Sequence, residues 1–285
     1  MHVSWSNVYF FWHIIHYLPI CFAGRITLNK DGPKDYQSLA CQQCRNADVL
    51  NFDFTMAFQP IVDFDNKCIF GYEALVRGLE NQSAFEVISQ VNDENLYRFD
   101  QCCRVKAIAL AAKLDIRSYV SINFLPNAVY RPELCIQTTL NAAQEFGFPI
   151  DKILFEVTEV ERVASNEHLS EIINYYQSKG FKTALDDFGA GYAGLNLLAE
   201  FQPNIVKLDM ALIRDIHINP IKLTIVRKMH ELNCELGITT LAEGVESIDE
   251  LRVLRELGIN LFQGYYFAKP AFEALPDVDQ SVYSL

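Results

Sequence analysis

The amino-acid sequence predicts an α/β fold, a (β/α)₈ TIM-like barrel in which one strand runs antiparallel to the others. Short apolar runs alternate with segments of helical periodicity from Phe54 onward, which is the pattern of repeated βα units. These runs are continuously apolar, as in parallel strands that are covered on both faces. With about eight such strands, closure into a barrel is favoured over an open sheet.

The individual elements follow from turn residues and periodicity. Residues 54–64 and 68–75 are strand-like and are joined by the tight turn Asp65-Asn66, so the first strand should run against the second. Helices are predicted over 83–93 and 95–114. Six more strands, at 119–124, 152–157, 182–188, 204–208, 238–242 and 260–265, alternate with helices that include 132–146, 166–179, 220–236 and 247–257. Four of these helices end at a glycine, where a left-handed residue is favoured: Gly147, Gly180, Gly237 and Gly258.

The chain is expected to consist of an N-terminal extension or linker, residues 1–45, and a barrel, residues 46–285. Residues 8–24 are apolar and aromatic, but two histidines and a proline interrupt them, and a typical spanning helix needs about 20 apolar residues. Membrane association through this segment stays open beside an expected cytoplasmic location. The eight cysteines are scattered, as in a protein with reduced thiols. The role of the Cys41/Cys44 pair is open, because a structural zinc needs four ligands.

The charge balance excludes one class of partner. The formal net charge is −12, from 36 acidic and 24 basic residues, so no DNA or RNA binding through a basic footprint is expected. A phosphate ester bound by so acidic a chain needs another source of positive charge. A divalent cation would supply it.

Polar residues stand at or near the ends of the predicted strands. The strand ends of a parallel barrel meet at one rim, where active sites are built. A single Asp in such a place is usually a helix cap, but five carboxylates at one rim would repel each other unless cations lie among them. The adjacent Asp186-Asp187 pair suits two cations, and a two-metal site is the usual device for phosphodiester hydrolysis. The rim residues are Glu73, Asn123, Glu156, Asp186, Asp187, Lys207, Glu243 and Gln263.

The same residues lie within motifs that resemble the EAL-domain family of cyclic di-GMP phosphodiesterases. The resemblance covers roughly 54–270, with the motifs in the family's order. They are Gln59-Pro60-Ile61-Val62, Tyr72-Glu73-Ala74-Leu75-Val76-Arg77, Ser121-Ile122-Asn123, Phe155-Glu156-Val157-Thr158-Glu159, Asp186-Asp187-Phe188-Gly189-Ala190-Gly191, Val206-Lys207-Leu208-Asp209, Ala242-Glu243-Gly244-Val245-Glu246 and Gln263-Gly264-Tyr265-Tyr266-Phe267.

This resemblance implies hydrolysis of cyclic di-GMP to linear pGpG with two Mg²⁺ or Mn²⁺ ions. It also implies a homodimer whose interface adjoins the loop after Asp187. Carried over by position, Lys207 and Glu243 would hold and deprotonate the attacking water, and Arg77 would meet a substrate phosphate. The remaining implied roles are metal ligation by Glu73, Asn123, Glu156, Asp186 and Asp187, proximity to substrate for Gln59 and Gln263, anchoring of the loop by Glu159, and support of the site by Glu246.

One loop departs from the family pattern. Where many relatives have Thr-Gly-Tyr-Ser-Ser, this chain reads Ala190-Gly191-Tyr192-Ala193-Gly194 and then Leu195. This form resembles members coupled to light-sensing domains and leaves the loop's regulatory role in doubt.

Two alternatives to a cyclic di-GMP phosphodiesterase remain open. A non-catalytic receptor for cyclic di-GMP, or a scaffold that binds proteins, would retain the fold, although degenerate members typically lack a ligand or the base. A barrel enzyme acting on another phosphodiester is also compatible with the residues alone. The chain contains no GG[DE]EF-like motif, so synthesis of the dinucleotide is not expected.

Overall fold

The computed structural model describes residues 50–129, 131–158, 166–190 and 194–284. Four features discussed above lie outside the described residues: the apolar segment 8–24, the Cys41/Cys44 pair, Glu159, and residues 191–193 of the loop after Asp187. Among the described residues, none of the helices combines the length and the apolar composition that a membrane span requires.

Eight strands close into a barrel, which confirms the predicted fold class. The first strand, β1, pairs with both β2 and β8 and runs antiparallel to each. The pairs from β2 to β8 are all parallel, so the carboxyl ends of these seven strands share one rim. The strands are β1 (Thr55–Asp63), β2 (Cys68–Arg77), β3 (Tyr119–Asn123), β4 (Ile153–Thr158), β5 (Lys182–Phe188), β6 (Ile205–Leu208), β7 (Thr239–Ala242) and β8 (Leu261–Phe262).

Helices cover the outside of the barrel, and several agree with the predicted segments. Four of the predicted glycines have positive φ angles, which confirms their role at helix ends. The helices are α1 (Ala84–Ile88), α2 (Leu96–Lys113), α3 (Pro132–Phe146), α4 (Asn166–Ser178), α5 (Gly194–Glu200), α6 (Met210–Ile213), α7 (Pro220–Glu235) and α8 (Ile248–Glu256). The short helices α5 and α6 were not among the predicted ones, and α1 ends five residues before the predicted 83–93 segment does.

The last barrel strand is shorter than predicted. The sequence indicated 260–265, whereas β8 comprises Leu261–Phe262. Gly264 turns the chain with a φ of +159°, and a Cβ atom added there would lie 2.1 Å from the carbonyl oxygen of Val245. The backbone therefore crosses closely over Val245 and leaves the sheet. A further strand, β9 (Ala271–Phe272), then pairs antiparallel with β1.

The barrel interior is layered, and this layering positions the polar residues. An apolar cluster takes one residue from each of six strands: Ile61, Leu154, Ala184, Ile205, Leu241 and Leu261. Side chains two positions apart on a strand share a face. Glu156 follows Leu154 by two positions and therefore also faces the interior. The same spacing from Ala184, Ile205 and Leu241 places three further polar residues there: Asp186, Lys207 and Glu243. The polar residues form the next layer, towards the carboxyl rim.

A buried ion pair fastens helix α2 to the strands beneath the rim. Arg104 and Asp100 lie 2.5 Å apart with both side chains excluded from solvent. The guanidinium also contacts the rings of Phe124 and Phe155, and Asp100 accepts a hydrogen bond from the backbone of Leu125, just beyond β3. Removing one partner would leave a buried charge unpaired, so the pair holds this side of the barrel in one arrangement.

Candidate active site

Lys207 is the centre of the polar layer. Its Nζ atom lies 2.8 Å from Glu156 Oε2, 2.9 Å from Asp186 Oδ1 and 2.8 Å from Glu243 Oε1. Glu73 Oε2 is farther away, at 3.7 Å. The lysine side chain is fully buried, so its charge is stabilised by these carboxylates in place of water.

Glu73 accepts hydrogen bonds from two side-chain amides. Asn123 Nδ2 donates to Glu73 Oε1 at 3.0 Å, and Gln263 Nε2 donates to Glu73 Oε2 at 2.7 Å. Gln263 also reaches Gln59 Oε1 at 3.3 Å, and Gln59 stands opposite Glu73 in the β1–β2 register. The two predicted substrate-side glutamines therefore lie beside a predicted metal ligand.

The carboxylates form two overlapping groups, each able to surround a cation. Glu73, Glu156 and Asp186 each offer an oxygen within 4.8 Å of the other two, and so do Asp186, Asp187 and Glu243. Asp186 belongs to both groups and can bridge them. Asp187 has a φ of +53°, a left-handed conformation that aspartate tolerates better than most residues, and this backbone turn brings its carboxylate beside that of Asp186.

The acidic excess of the site changes its protonation. Burial, reinforced by Glu73 and Asp186 and opposed by Lys207, raises the pKa of Glu156 to about 8. Burial and the nearby charge of Asp186 also raise the pKa of Glu243 and of Asp187 well above the usual carboxyl range. Burial alone would lower the pKa of Lys207, but its carboxylate neighbours, Asp186 foremost, raise it well above its ordinary value. Four carboxylates thus share the Lys207 ammonium and Asp187 lies beside them, so within the described residues the cluster is short of positive charge.

The donor set fits hard divalent cations. Carboxylate and amide oxygens are the ligands that Mg²⁺ and Mn²⁺ prefer. Gln263 Oε1 is buried and accepts no hydrogen bond from the described residues. Asp186 Oδ1 is also buried, and its neighbour at 2.9 Å is the ammonium of Lys207, which other carboxylates share. A cation beside Asp186 would offset the repulsion among the carboxylates.

Two predicted residues lie at the edge of this cluster or away from it. Arg77 ends β2 and donates to the neighbouring carbonyl of Val76 at 2.7 Å. Burial lowers the pKa of Arg77, and Tyr265 and then Glu73 partly oppose this effect. Glu246 forms an ion pair with Arg214 at 2.5 Å, which ties the loop after β7 to the segment after α6. Its contact with the site is thus indirect.

Ser121 belongs to the site, although the sequence motif Ser121-Ile122-Asn123 predicted a role for Asn123 alone. Its Oγ atom donates to Glu156 Oε1 at 2.5 Å, and both side chains are fully buried. Ser121 stands two residues before Asn123 on β3, so both point to the same face. That spacing was the available signal.

Comparison with known proteins identifies the family of this chain. The profile of the EAL domain family matches residues 42–270. The blue light- and temperature-regulated antirepressor BluF of Escherichia coli K12 is 30% identical over 236 residues, 82% of this chain and 58% of that protein. Further curated relatives carry the name cyclic di-GMP phosphodiesterase. The chain spans 33% to 58% of the length of three curated relatives that it matches.

Two solved structures resemble the barrel closely. A standalone versatile EAL protein from Vibrio cholerae O395, in its c-di-GMP bound form, shares 60% sequence identity and a TM-score of 0.80, covering 83% of this chain and 99% of that one. Klebsiella pneumoniae BlrP1, as a manganese and cyclic-diGMP complex, shares 35% identity and a TM-score of 0.75, covering 81% of this chain and 59% of that one.

Proposed function

The chain belongs to the EAL domain family, and on that premise we propose that it is a metal-dependent phosphodiesterase that hydrolyses cyclic di-GMP to linear pGpG. The observation that carries the proposal is the convergence of four carboxylates on Lys207 at the carboxyl rim, with Asp187 beside them and two groups spaced to surround cations. The substrate follows from the c-di-GMP bound relative with 60% identity and from the relatives named as cyclic di-GMP phosphodiesterases.

The proposed cations are two Mg²⁺ or Mn²⁺ ions. Glu73, Asn123, Glu156 and Asp186 would hold one of them, and Asp187 the other. The manganese complex of BlrP1 and the membership of Asp186 in both carboxylate groups support this assignment. When bound, such ions lower the pKa of a coordinated water and screen the phosphate charge.

Glu243 and Lys207 are the proposed catalytic pair. Glu243 Oε1 lies 2.8 Å from Lys207 Nζ, so the ammonium orients this carboxylate, and a water placed beside the pair would contact both. Glu243 would take the proton of the attacking water. Arg77, Gln59 and Gln263 would face the substrate.

We further propose that two copies of the chain associate through helix α7. Ile218 and Ile221 are each 71% exposed, and Ile225 is 41% exposed; the latter two are one turn apart and form an apolar stripe. The next turn brings Met229, which lies with Leu212 against Gly189 of the loop after Asp187. A second copy that covered this stripe would contact the face of helix α7 that packs against the loop after Asp187. That continuity with the site favours a second copy over an unrelated partner, and Glu159 would hold the loop from inside.

The domain division is also a proposal: residues 46–285 form the catalytic barrel, and 1–45 an extension of unassigned role. Leu50, the first described residue, is 2% exposed, so the barrel begins close to the proposed boundary. A chain lacking residues 1–45 should still bind Mn²⁺, and loss of that binding on truncation would place the extension within the barrel unit.

A non-catalytic role is the second candidate, and one observation favours it. The relative BluF is described as an antirepressor, so a relative of similar sequence is named for a regulatory role and not for catalysis. Against it stands the full set of carboxylates with Lys207. The deciding experiment is incubation of the purified chain with cyclic di-GMP and Mg²⁺ or Mn²⁺, followed by mass-spectrometric identification of products. Formation of pGpG supports the enzyme. Binding with intact substrate would support the receptor, and faster cleavage of another phosphodiester would reassign the substrate.

A further inference from the structure

We infer that Ser121 is a positioning residue that fixes the carboxylate of Glu156 for cation binding, an inference that rests on the proposed metal-dependent function. The Ser121 hydroxyl donates to Glu156 Oε1 at 2.5 Å. Both side chains are 0% exposed, so water does not compete for this hydrogen bond. The contact joins β3 to β4 inside the barrel.

Glu156 needs a second anchor because Lys207 is shared. Lys207 Nζ donates to Glu156 Oε2 at 2.8 Å but lies almost equally close to Asp186 and Glu243. An ammonium among several carboxylates does not define the plane of any one of them. Ser121 contacts the other oxygen of Glu156, and two contacts on two oxygens fix the plane. Each oxygen retains a lone pair for a cation.

The position of Ser121 favours a small uncharged donor. In the strand register it stands between Glu73 of β2 and Leu154 of β4, so it lies where the apolar interior cluster meets the predicted ligands. A larger side chain would press on Leu154. Alanine would leave Glu156 Oε1 without its donor, and the carboxylate could then rotate towards Lys207 and away from a cation.

The test is titration of the full chain with Mn²⁺ alone, followed by calorimetry, for wild type, Ser121→Ala and Ser121→Cys. Loss of an outer hydrogen bond to a metal ligand typically weakens metal binding about 10- to 100-fold, and we expect that change in Kd for Ser121→Ala. Ser121→Cys should fall between, because a thiol is a weak donor of similar size. Turnover of Ser121→Ala should recover as Mn²⁺ is raised, with KM for the substrate little changed.

The matched control is Thr183→Val. Thr183 is a fully buried hydroxyl on β5 that accepts a hydrogen bond from Gln177 at 2.9 Å, on the outer face of the barrel. Its removal should lower stability without changing the Kd for Mn²⁺. If wild type takes up no Mn²⁺, the proposed function fails. If wild type binds Mn²⁺ and Ser121→Ala binds it as tightly, or if Thr183→Val weakens binding equally, the role of Ser121 is overturned.

Discussion

Glu243 Oε1 lies 2.8 Å from the ammonium of Lys207, at a rim where Lys207 also contacts carboxylates from β4 and β5. Both residues stand at the ends of neighbouring strands, β6 and β7. The pairing therefore follows directly from the barrel topology. It places the proposed base within one of the two carboxylate groups and beside the other.

The first prediction concerns this pair. Glu243→Gln keeps the shape of the side chain but removes its ability to accept a proton, so turnover of cyclic di-GMP should fall on the order of 10²-fold or more. Affinity for the substrate should change far less, because the other predicted substrate contacts remain. Steady-state kinetics and equilibrium binding measure the two effects. Glu133→Gln, which alters an exposed ion pair on helix α3, is the control. Near-normal turnover in Glu243→Gln would remove Glu243 from the role of base.

The second prediction concerns protons released by metal binding. The pKa of Glu156 is raised to about 8 from 4.5, so the metal-free site retains protons above pH 4.5 that a cation must displace. Affinity for Mn²⁺ should therefore increase as pH rises from about 5 to about 8. The metal-free fold binds more protons than the unfolded chain in this window, so its stability should decrease as pH rises. Calorimetry in two buffers of different ionisation enthalpy counts the protons. No proton release at pH 6 would contradict the raised pKa.

The third prediction joins association to activity. Ile225→Lys places a charge on the apolar stripe of helix α7, which should raise the dimer dissociation constant tenfold or more, about 1.4 kcal/mol. Specific activity should fall with it at low protein concentration. Leu236→Lys, equally exposed at 41% but at the other end of the helix, should do neither. Sedimentation velocity and activity against concentration give the answer. Full specific activity in a monomeric sample would show that activity does not depend on dimerisation.

The fourth prediction tests the close backbone crossing beside Gln263. A Cβ atom at Gly264 would lie 2.1 Å and 2.4 Å from backbone atoms of Val245, so Gly264→Ala should destabilise the fold by about 3 kcal/mol. Gly237→Ala is the control: its φ is also positive, at +71°, but no atom lies within 4 Å of the added Cβ, and the cost should be about 1 kcal/mol. Denaturant unfolding compares them. If both variants lost the same free energy of unfolding, the positive φ angle of Gly264, and not its close approach to Val245, would be the reason for glycine at this position.

Much of the architecture could be predicted because its signals are local. Apolar runs with intervening helices indicated the barrel, and parallel strands must end at one rim, which brought Glu73 and Glu243 together in the prediction although 169 residues of chain separate them. Helices α5 and α6 have seven and four residues, too few to show a helical period. The end of β8 depends on the close approach of Gly264 to Val245, which lies in the segment after β7. A contact between two separate segments leaves no periodic signal in the sequence.

The contacts inside the site were less predictable. Which carboxylates share Lys207, and at what distance, depends on the stagger between strands when the barrel closes. The role of Ser121 depends on the same stagger, because its partner Glu156 is on the next strand. The detachment of Glu246 from the cluster follows from its ion pair with Arg214, a contact between two loops that sequence patterns do not encode.

The central claim is that bound cations neutralise the carboxylate cluster and make phosphodiester hydrolysis possible. The measurement that tests it most directly is turnover of cyclic di-GMP by the full chain before and after chelation with EDTA, and again after adding back Mg²⁺, Mn²⁺ or Ca²⁺. The account predicts that chelation abolishes turnover and that Mg²⁺ or Mn²⁺ restores it. Ca²⁺, which is larger and less exacting in geometry, should restore little. Undiminished hydrolysis by thoroughly chelated protein would contradict the account.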